Sequence, residues 1–314
     1  MKHGELIAIG GAYVDINVPG FPINEGGLQL ETEVVGGDYL VELGGSAVNF
    51  ARLCSSLDTP TTFVGKVGED TFGHTFVDLL QKARVHPAVI TSSEVSTCIS
   101  FNMIAPDGRS AMTVAGTANK SLGATEVYDR VSQLLPGSAY LYLGGCFKLK
   151  ELMPAFVQLA TEAQSAGAKV VLDHGRLNNS VTEDDKKIMR SLAMVADFYL
   201  PSVDEFIQLW NVSSLEEGLR LMQRENRGTT VVKNSQKGAV TMADDKLVTV
   251  PAYLVKPIHS IGAGDSFNAG FIAAQHRKQD ILASVAFGCA TAALKISQDT
   301  LPTFEDVAAL VARR

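Results

Sequence analysis

Short apolar runs alternate along the chain with segments whose apolar residues recur every three or four positions. The short runs are typical of buried strands, and the longer spacing is typical of helices with one buried face. The predicted strands cover residues 6–10, 61–65, 140–143, 169–173, 196–200 and 229–233, with a late hairpin at 239–242 and 247–250. The predicted helices cover residues 46–57, 70–83 (with Asp70 as cap), 151–165, 203–210, 214–224, 263–275, 281–295 and 303–312. This alternation predicts an α/β fold: a doubly wound, mostly parallel sheet with helices on both faces.

Two segments depart from that rhythm. Residues 11–43 contain several glycines and prolines and an acidic middle, and apolar residues alternate near their end. Residues 97–104 and 110–115 have the pattern of two strands around a turn. Both patterns are typical of exposed antiparallel strands. We therefore predict a single domain over residues 1–314 with a small β lid formed by about 11–43 and 97–115.

Composition narrows the class of protein. The 314 residues are 46% hydrophobic and 19% charged, which favours a large buried core over disorder. The net charge is −7 and no basic run occurs, so we expect no nucleic-acid partner. The N-terminus lacks the pattern of a signal peptide, and no apolar stretch has the length of a membrane span. The four cysteines form no CxxC pair, and we expect partly buried, reduced thiols in a cytoplasmic protein.

The stretch at residues 261–271 carries the clearest chemistry. Gly262, Ala263 and Gly264 leave the backbone bare where a helix is predicted to begin. Free N–H groups and the positive end of a helix dipole at such a turn favour an anion, above all a phosphate. Asp265 falls in the first turn, where a carboxylate is stabilised. The residues alone leave two interpretations open: a phosphoryl-transfer site, or a tight turn with an acidic first-turn residue.

This stretch resembles the C-terminal signature of the PfkB/ribokinase family of carbohydrate kinases. Residues 44–51 (GGSAVNFA) and 64–73 (VGKVGEDTFG) resemble motifs of the N-terminal half of that family, and 10–15 and 116–119 fit as well. The matches follow the order of the family and span most of the chain. The resemblance implies a ribokinase-like fold and an enzyme that uses ATP and Mg²⁺ to phosphorylate a hydroxymethyl group of a sugar or sugar-like substrate.

The resemblance also implies roles for individual residues. Asp265 corresponds to the catalytic base of the family, with Gly262, Ala263 and Gly264 around the phosphate. Without the resemblance, Asp15 would be read as a strand-end turn residue and Asn49 as a helix-surface or capping residue. With it, the positions that hold the substrate are Asp15, Gly44, Gly45 and Asn49.

Further residues are implied to hold the nucleotide and its metal. Glu205 corresponds to the family acid that helps to hold Mg²⁺, although an acid in the first turn of a helix needs no metal to explain it. Ser202 stands where the family usually has Asn. The implied nucleotide contacts are Lys233, Ser235 and Gly238, with Ser235 in a usual glycine position. Arg176 corresponds to an arginine that could clamp an anion, but a surface arginine explains it more simply.

Two segments differ from the family pattern in the region that binds a monovalent cation in relatives. The segments His259–Ile261 and Ser297–Pro302 differ from the residues that form a monovalent-cation site in relatives. We therefore expect activity that requires Mg²⁺ and responds little to potassium.

Other functions and assemblies stay open. The alternatives are a nucleoside kinase of the same fold, whose base would contact Tyr13, Phe101, Met103 and Met112 of the lid, and a catalytically silent binding protein. A small sheet with an apolar face and exposed edges favours a homodimer joined through the lid. A monomer whose flap closes over its own site is the alternative.

Overall fold

The computed structural model describes residues 6–21, 38–106, 110–258 and 261–313. Within these ranges, nine strands form a large sheet, four form a smaller sheet and two pair separately. The strands are β1 (Leu6–Gly10), β2 (Tyr13–Pro19), β3 (Leu40–Gly44), β4 (Thr61–Val64), β5 (Lys66–Gly68), β6 (His86–Pro87), β7 (Ile90–Ser92), β8 (Cys98–Ile104), β9 (Ser110–Ala115), β10 (Tyr140–Gly144), β11 (Lys169–Asp173), β12 (Phe198–Tyr199), β13 (Thr229–Lys233), β14 (Ala239–Ala243) and β15 (Lys246–Val250).

Helices occupy most of the connections between these strands. They are α1 (Ser46–Ser56), α2 (Thr71–Lys82), α3 (Ala124–Leu134), α4 (Phe156–Ser165), α5 (Glu183–Val195), α6 (Val203–Trp210), α7 (Leu215–Glu225), α8 (Ala263–His276), α9 (Ile281–Ser297) and α10 (Phe304–Ala312). None of the helices in the described ranges combines the length and the apolar character that a bilayer crossing requires.

The large sheet has the strand order β15-β14-β13-β12-β11-β10-β1-β4-β6. Its pairs from β13 through β12, β11, β10, β1, β4 and β6 are parallel, and β14 and β15 add an antiparallel hairpin at one edge. The predicted doubly wound, mostly parallel fold is therefore confirmed.

Both faces of this sheet are buried, as continuous apolar strands require. In β1, Leu6 and Ala8 pack into one core, with side chains of α1, α2, α8, α9 and α10. Ile7 and Ile9 pack into the other core, with side chains of α3 to α7. All four residues are fully buried. The four cysteines are free and buried within the described ranges, more deeply than the partial burial that we expected.

Some element boundaries differ from the prediction. The helix predicted for 151–165 is α-helical only from Phe156, and Met153–Ala155 forms a 3₁₀ turn. Pro154 lies in that turn, where a residue without an N–H is tolerated. The predicted cap of α2 is confirmed, because the Asp70 carboxylate accepts a hydrogen bond from the Gly73 amide at 2.8 Å.

The smaller sheet joins the two segments that we predicted to form the lid, in the order β3-β2-β8-β9. The outer pairs are antiparallel, but β2 and β8 are parallel, so the expectation of antiparallel strands throughout was wrong. A parallel pair needs a long crossover, and α1, β4, β5, α2, β6 and β7 lie between these two strands in the chain. Residues 22–37 of the predicted lid and 107–109 of its turn lie outside the described residues.

Candidate active site

The candidate site lies where parallel strands end, the usual place for a ligand in such sheets. β1 and β10 finish side by side, with Gly10 opposite Gly144. The amide of Gly145 then donates a hydrogen bond to the carbonyl of Asp173, the last residue of β11, at 3.0 Å. The first turn of α1 packs against the same edge, since a side chain at Gly10 would collide with Ala47. The absence of a side chain at Gly10 therefore lets α1 pack directly against the strand ends, and the edge between them is the candidate cleft.

Asp265 lies in the first turn of α8, half-buried at this cleft. The residue that caps this helix, Gly262, has φ of 76°, in the left-handed region where a side chain adds strain. A helix start of this kind leaves its first amides, those of Ala263 and Gly264 included, without partners inside the helix. Asn49 of α1 donates a hydrogen bond from Nδ2 to Oδ2 of Asp265 at 3.1 Å. Two residues 216 positions apart, both named from the sequence, are thus in contact.

The acidity of Asp265 suits proton transfer. Burial raises the pKa of its carboxyl from 3.8 to about 7, and the nearby charges of Asp173 and Glu205 act in the same direction. The Asn49 hydrogen bond and the Lys233 ammonium oppose that rise. A carboxyl group that titrates near neutral pH can take up a proton and release it again during turnover.

A buried polar network lies beneath this carboxylate. Lys233, at the end of β13, donates from Nζ to Oδ2 of Asp173 at 2.5 Å and to Oδ1 of Asn268 at 3.2 Å. Asn268 in turn donates to Oδ2 of Asp173 at 2.6 Å and to the Tyr142 hydroxyl at 3.2 Å. Tyr142 stacks on Phe50 of α1 with ring centroids 3.7 Å apart. The network ties three strands to both helices that present the site.

Charge balance explains how Asp173 is tolerated there. Burial acts to raise the pKa of Asp173, but the Lys233 ammonium and the Asn268 amide outweigh burial and leave the pKa below its usual value. The sequence pointed to Lys233 as a nucleotide contact and to Asp173 as a strand-end residue, but not to their ion pair. Asn268 was missed, although it follows Asp265 by three positions and therefore lies on the same side of the helix.

His174 and Arg176, which follow Asp173 in the chain, have different surroundings. His174 is fully buried, and its ring nitrogens contact the Gly175 carbonyl at 2.7 Å and the Tyr199 hydroxyl at 2.8 Å. Burial lowers the pKa of His174. Arg176 is exposed, in agreement with the simpler interpretation that it is a surface arginine.

Glu205 lies in the first turn of α6, where its Oε2 accepts a hydrogen bond from the Ser202 amide at 2.9 Å. This capping contact is the structural role expected of an acid in that position. The carboxylate is also close enough to Asp265 to raise its pKa. No group of three or more His, Cys, Asp or Glu residues suited to a metal occurs in the described ranges. One carboxylate is nevertheless compatible with Mg²⁺, which keeps several waters and binds substrate phosphates.

The predicted nucleotide segment forms a tight turn after β13. Ser235 begins a 3₁₀ turn with φ of 49°, a left-handed conformation that a glycine, the usual family residue, adopts without strain. Gly238 closes the turn, its amide donating to the Ser235 carbonyl at 3.0 Å. Of the three implied nucleotide contacts, the structure brings Lys233 next to Asp265, and the other two shape the turn beyond it.

The implied substrate residues meet at the base of the smaller sheet. A Cβ at Gly44 would overlap the carboxylate of Asp15, so the bare backbone there makes room for that side chain. Gly45 follows directly and precedes α1. Burial raises the pKa of Asp15 to about 6, with a further contribution from the charge of Glu42. Asp15 is half-buried and faces the same side of the sheet as Glu42, its partner in β3.

The nucleoside alternative relied on apolar lid residues, and two of them lie on the wrong face. Phe101 is opposite Ile16 and Met103 is opposite Val18, whereas Asp15 is opposite Ser100. Successive side chains in a strand point to opposite faces. Phe101 and Met103 therefore point away from the Asp15 face, and that part of the interpretation was wrong.

Comparison with known proteins agrees with this geometry. The sequence profile described as "pfkB family carbohydrate kinase" matches residues 13–303. The chain belongs to the pfkB family. Among curated pfkB-type relatives, ribokinase of Haemophilus influenzae is 22% identical over 87% of this chain and 88% of its own length. 5-Dehydro-2-deoxygluconokinase of Bacillus licheniformis is 24% identical over 99% of this chain and 97% of its own.

A solved structure has the same fold as this chain. Arabidopsis thaliana ribokinase complexed with ribose and ATP superposes with a TM-score of 0.81, at 21% identity, over 98% of each chain. Among the pfkB departures noted above, residues 259 and 260 lie outside the described residues. The Ile258 amide donates to the Ile296 carbonyl at 2.7 Å, so the residues that directly precede the two departing segments are in contact.

Proposed function

We propose that this chain transfers the γ-phosphoryl group of ATP to a hydroxymethyl group of a sugar. The observation that carries the proposal is Asp265: a half-buried carboxylate with a pKa near 7, at a helix start whose first amides have no partners inside the helix. Membership in a family of carbohydrate kinases supports the class of reaction.

In the proposed reaction Asp265 acts as general base. The oxygen of the substrate hydroxyl forms a bond to the γ-phosphorus, the bond from that phosphorus to the bridging oxygen breaks, and ADP leaves. The hydroxyl proton passes to the Asp265 carboxylate. Because phosphoryl transfer is limited mainly by positioning and charge, a carboxylate that takes the proton late is sufficient.

Other residues hold the reactants. Asn49 fixes Asp265 through its hydrogen bond and keeps an amide oxygen for the substrate. The amides of Ala263 and Gly264 would stabilise the negative charge of the transferred group. Lys233 lies below this turn, 3.5 Å from where a Cβ of Gly264 would be, and adds a fixed positive charge. Asp15 would accept hydrogen bonds from substrate hydroxyls.

The residues also suit Mg²⁺. Glu205 would hold the ion through its waters, and bound Mg²⁺ would neutralise charge on the β- and γ-phosphates. The hydrogen bond from the Ser202 amide goes to Oε2 of Glu205, and Oε1 has no hydrogen-bond partner among the described residues. One carboxylate oxygen is therefore available to hold the ion and its waters.

The test is substrate-dependent ADP release by the purified chain with Mg²⁺ and ATP, using matched panels of sugars and nucleosides. We expect turnover with a sugar and a product heavier by one phosphoryl group in mass spectrometry. A strong preference for nucleosides would change the proposed substrate from a sugar to a nucleoside. Absence of ADP release with both panels would overturn the proposal.

A further inference from the structure

A cavity opens at the end of β13 that lies away from the candidate active site. It has a volume of about 230 Å³ and is lined by residues of α7, of the turn after α7, and of the strands β13 and β14. Thr229 and Thr230 begin β13 at the cavity, and Lys233 ends the strand at the candidate site. Three residues of strand span about 10 Å, so the two sites are separate.

The cavity lies where the pairing of two strands stops. β13 and β14 are paired as far as Val231 opposite Thr241. The carbonyl of the next residue, Thr230, accepts a hydrogen bond from the Thr241 hydroxyl at 2.8 Å. On the other side, Asn226 holds the turn after α7 through two hydrogen bonds to the backbone. Hydrogen bonds therefore fix the walls of the cavity on both sides.

The cavity contains a buried hydroxyl group that has no partner. Thr230 is 7% exposed, and its Oγ1 has no hydrogen-bond partner among the described residues. Side chains two positions apart in a strand share a face, and Val232 packs in the same core as Leu219 and Met222 of α7. Thr230 therefore points towards α7 and into the cavity. A buried hydroxyl without a partner destabilises the fold, so a ligand that completes this hydrogen bond would remove that cost.

The inner wall is otherwise apolar. It is formed by Leu219 and Met222, which are buried, and by Met242, which is half-buried. Thioether sulfurs make favourable contacts with aromatic rings, so two methionines favour a ring over an aliphatic chain. An apolar cavity of about 150 Å³ holds benzene, so this cavity suits a ligand of about nine or ten non-hydrogen atoms.

The mouth of the cavity is basic. Among the described residues of its lining, Arg227 alone carries a charge. Its side chain is exposed and forms no hydrogen bond or ion pair with any other described residue. The acid Asp245 accepts a hydrogen bond from Nε2 of Gln223 at 2.6 Å, and neither Asp245 nor Glu225 lines the cavity. A guanidinium without a protein partner favours a carboxylate at this mouth.

We infer that this cavity binds a small aromatic carboxylate. The carboxylate would contact Arg227, the ring would pack on Met222 and Met242, and a polar substituent at the far end would bond to the Thr230 hydroxyl. The inference goes beyond the proposed function and does not depend on it, because the cavity shares no residue with the candidate active site.

The test is calorimetry on the full chain with three compounds that have the same number of non-hydrogen atoms. 4-Hydroxybenzoate has both recognised groups, 4-methylbenzoate lacks the polar substituent, and 4-hydroxybenzamide lacks the charge. We expect 4-hydroxybenzoate to bind with a Kd of about 0.1–1 mM, the range for a good ligand of this size. Each of the other two should bind about tenfold more weakly.

Two variants assign the binding to the cavity. Thr230→Val should abolish the preference for 4-hydroxybenzoate over 4-methylbenzoate, and should raise the Tm of the unliganded protein because it removes the unpartnered hydroxyl. Arg227→Gln should abolish the preference for the acid over the amide. The matched control is Arg224→Gln, an exposed arginine in the last turn of α7 that does not line the cavity, and it should leave all three affinities unchanged.

Three results would overturn the inference. The first is no measurable binding of 4-hydroxybenzoate at concentrations tenfold above the expected Kd. The second is binding whose preferences both variants leave unchanged, since the ligand would then lie elsewhere. The third is a Tm that does not rise in Thr230→Val, which would show that the hydroxyl already has a partner in solution. All readouts are binding or stability, so the outcome does not depend on whether the chain is a kinase.

Discussion

Replacing Asp265 with asparagine separates the chemical role of this residue from its energetic cost. Asparagine keeps the shape and can still accept the hydrogen bond from Asn49, but it cannot take a proton. We expect turnover to fall by about 10²- to 10⁴-fold, the usual contribution of a general base, while ATP binding persists.

The same substitution should stabilise the protein at alkaline pH. The pKa of Asp265 rises from 3.8 to about 7 on folding, so between these values the folded state holds a proton that the unfolded state has released. The free energy of unfolding therefore falls as pH increases through this window. From pH 5 to pH 7 the loss is about 3 kcal/mol, at about 1.4 kcal/mol per pH unit. Asparagine does not titrate, so its advantage over the wild type grows by that amount.

Thermal unfolding at pH 5 and pH 8 measures the effect. An unfolding entropy of about 2 cal/mol/K per residue gives a gain in Tm of about 4 °C for Asp265→Asn at pH 8 relative to pH 5. Glu305→Gln is the control, because Glu305 is an exposed acid in the first turn of α10, away from the site. Turnover within a few-fold of the wild type would refute the catalytic role. A Tm difference that does not change with pH would refute the burial argument.

Four further outcomes are expected. In a pH profile, kcat/KM should fall tenfold per pH unit below about pH 7, because Asp265 must be ionised to accept a proton. A flat profile from pH 6 to 8 would contradict the role of Asp265 as the general base. Lys233→Met leaves Asp173 buried and unpaired, so urea unfolding should show a loss of about 3–5 kcal/mol, against little change for the exposed Lys237→Met. Activity should require Mg²⁺ yet differ less than twofold between sodium and potassium buffers, and a large potassium stimulation would contradict that. Met112, 67% exposed on an edge strand of the smaller sheet, suits a dimer contact, so light scattering should show a dimer that Met112→Glu dissociates; a monomeric wild type would remove this prediction.

The central sheet was predictable because its strands are apolar on both faces, a pattern with few alternatives. Two helices were not predicted. α5 is rich in charge, and Met189, Leu192 and Ala193 are its buried residues; α3 buries Val127 and Val131. So few buried positions leave little periodicity to detect. The short strands β5 and β7 owe their conformation to pairing with each other, which local sequence does not encode.

The residues of the candidate site could be predicted only where they belong to a recognisable sequence motif. Asp265 and Asn49 were named from separate motifs, and their contact follows from the shared fold. The ion pair of Lys233 with Asp173 joins residues 60 positions apart, and no local pattern marks it. The same holds for Asp15 and Ser100, which only the cross-strand register brings side by side. A one-residue slip of β8 would place Phe101, rather than Ser100, beside Asp15.

The helix α8 shows why a costly carboxylate can be kept in the site. Asp265 faces the cleft with a raised pKa, which by itself disfavours the folded state at neutral pH. One turn further, Asn268 bonds to Asp173 and Tyr142, and Phe271 is fully buried against Phe198. These contacts fix the helix independently of Asp265, so the base can be desolvated without losing its position. Because those contacts hold the helix in place, the asparagine variant should keep the position of residue 265 while it removes both the proton acceptor and the cost of burying a carboxylate. The variant should therefore be less active and more stable.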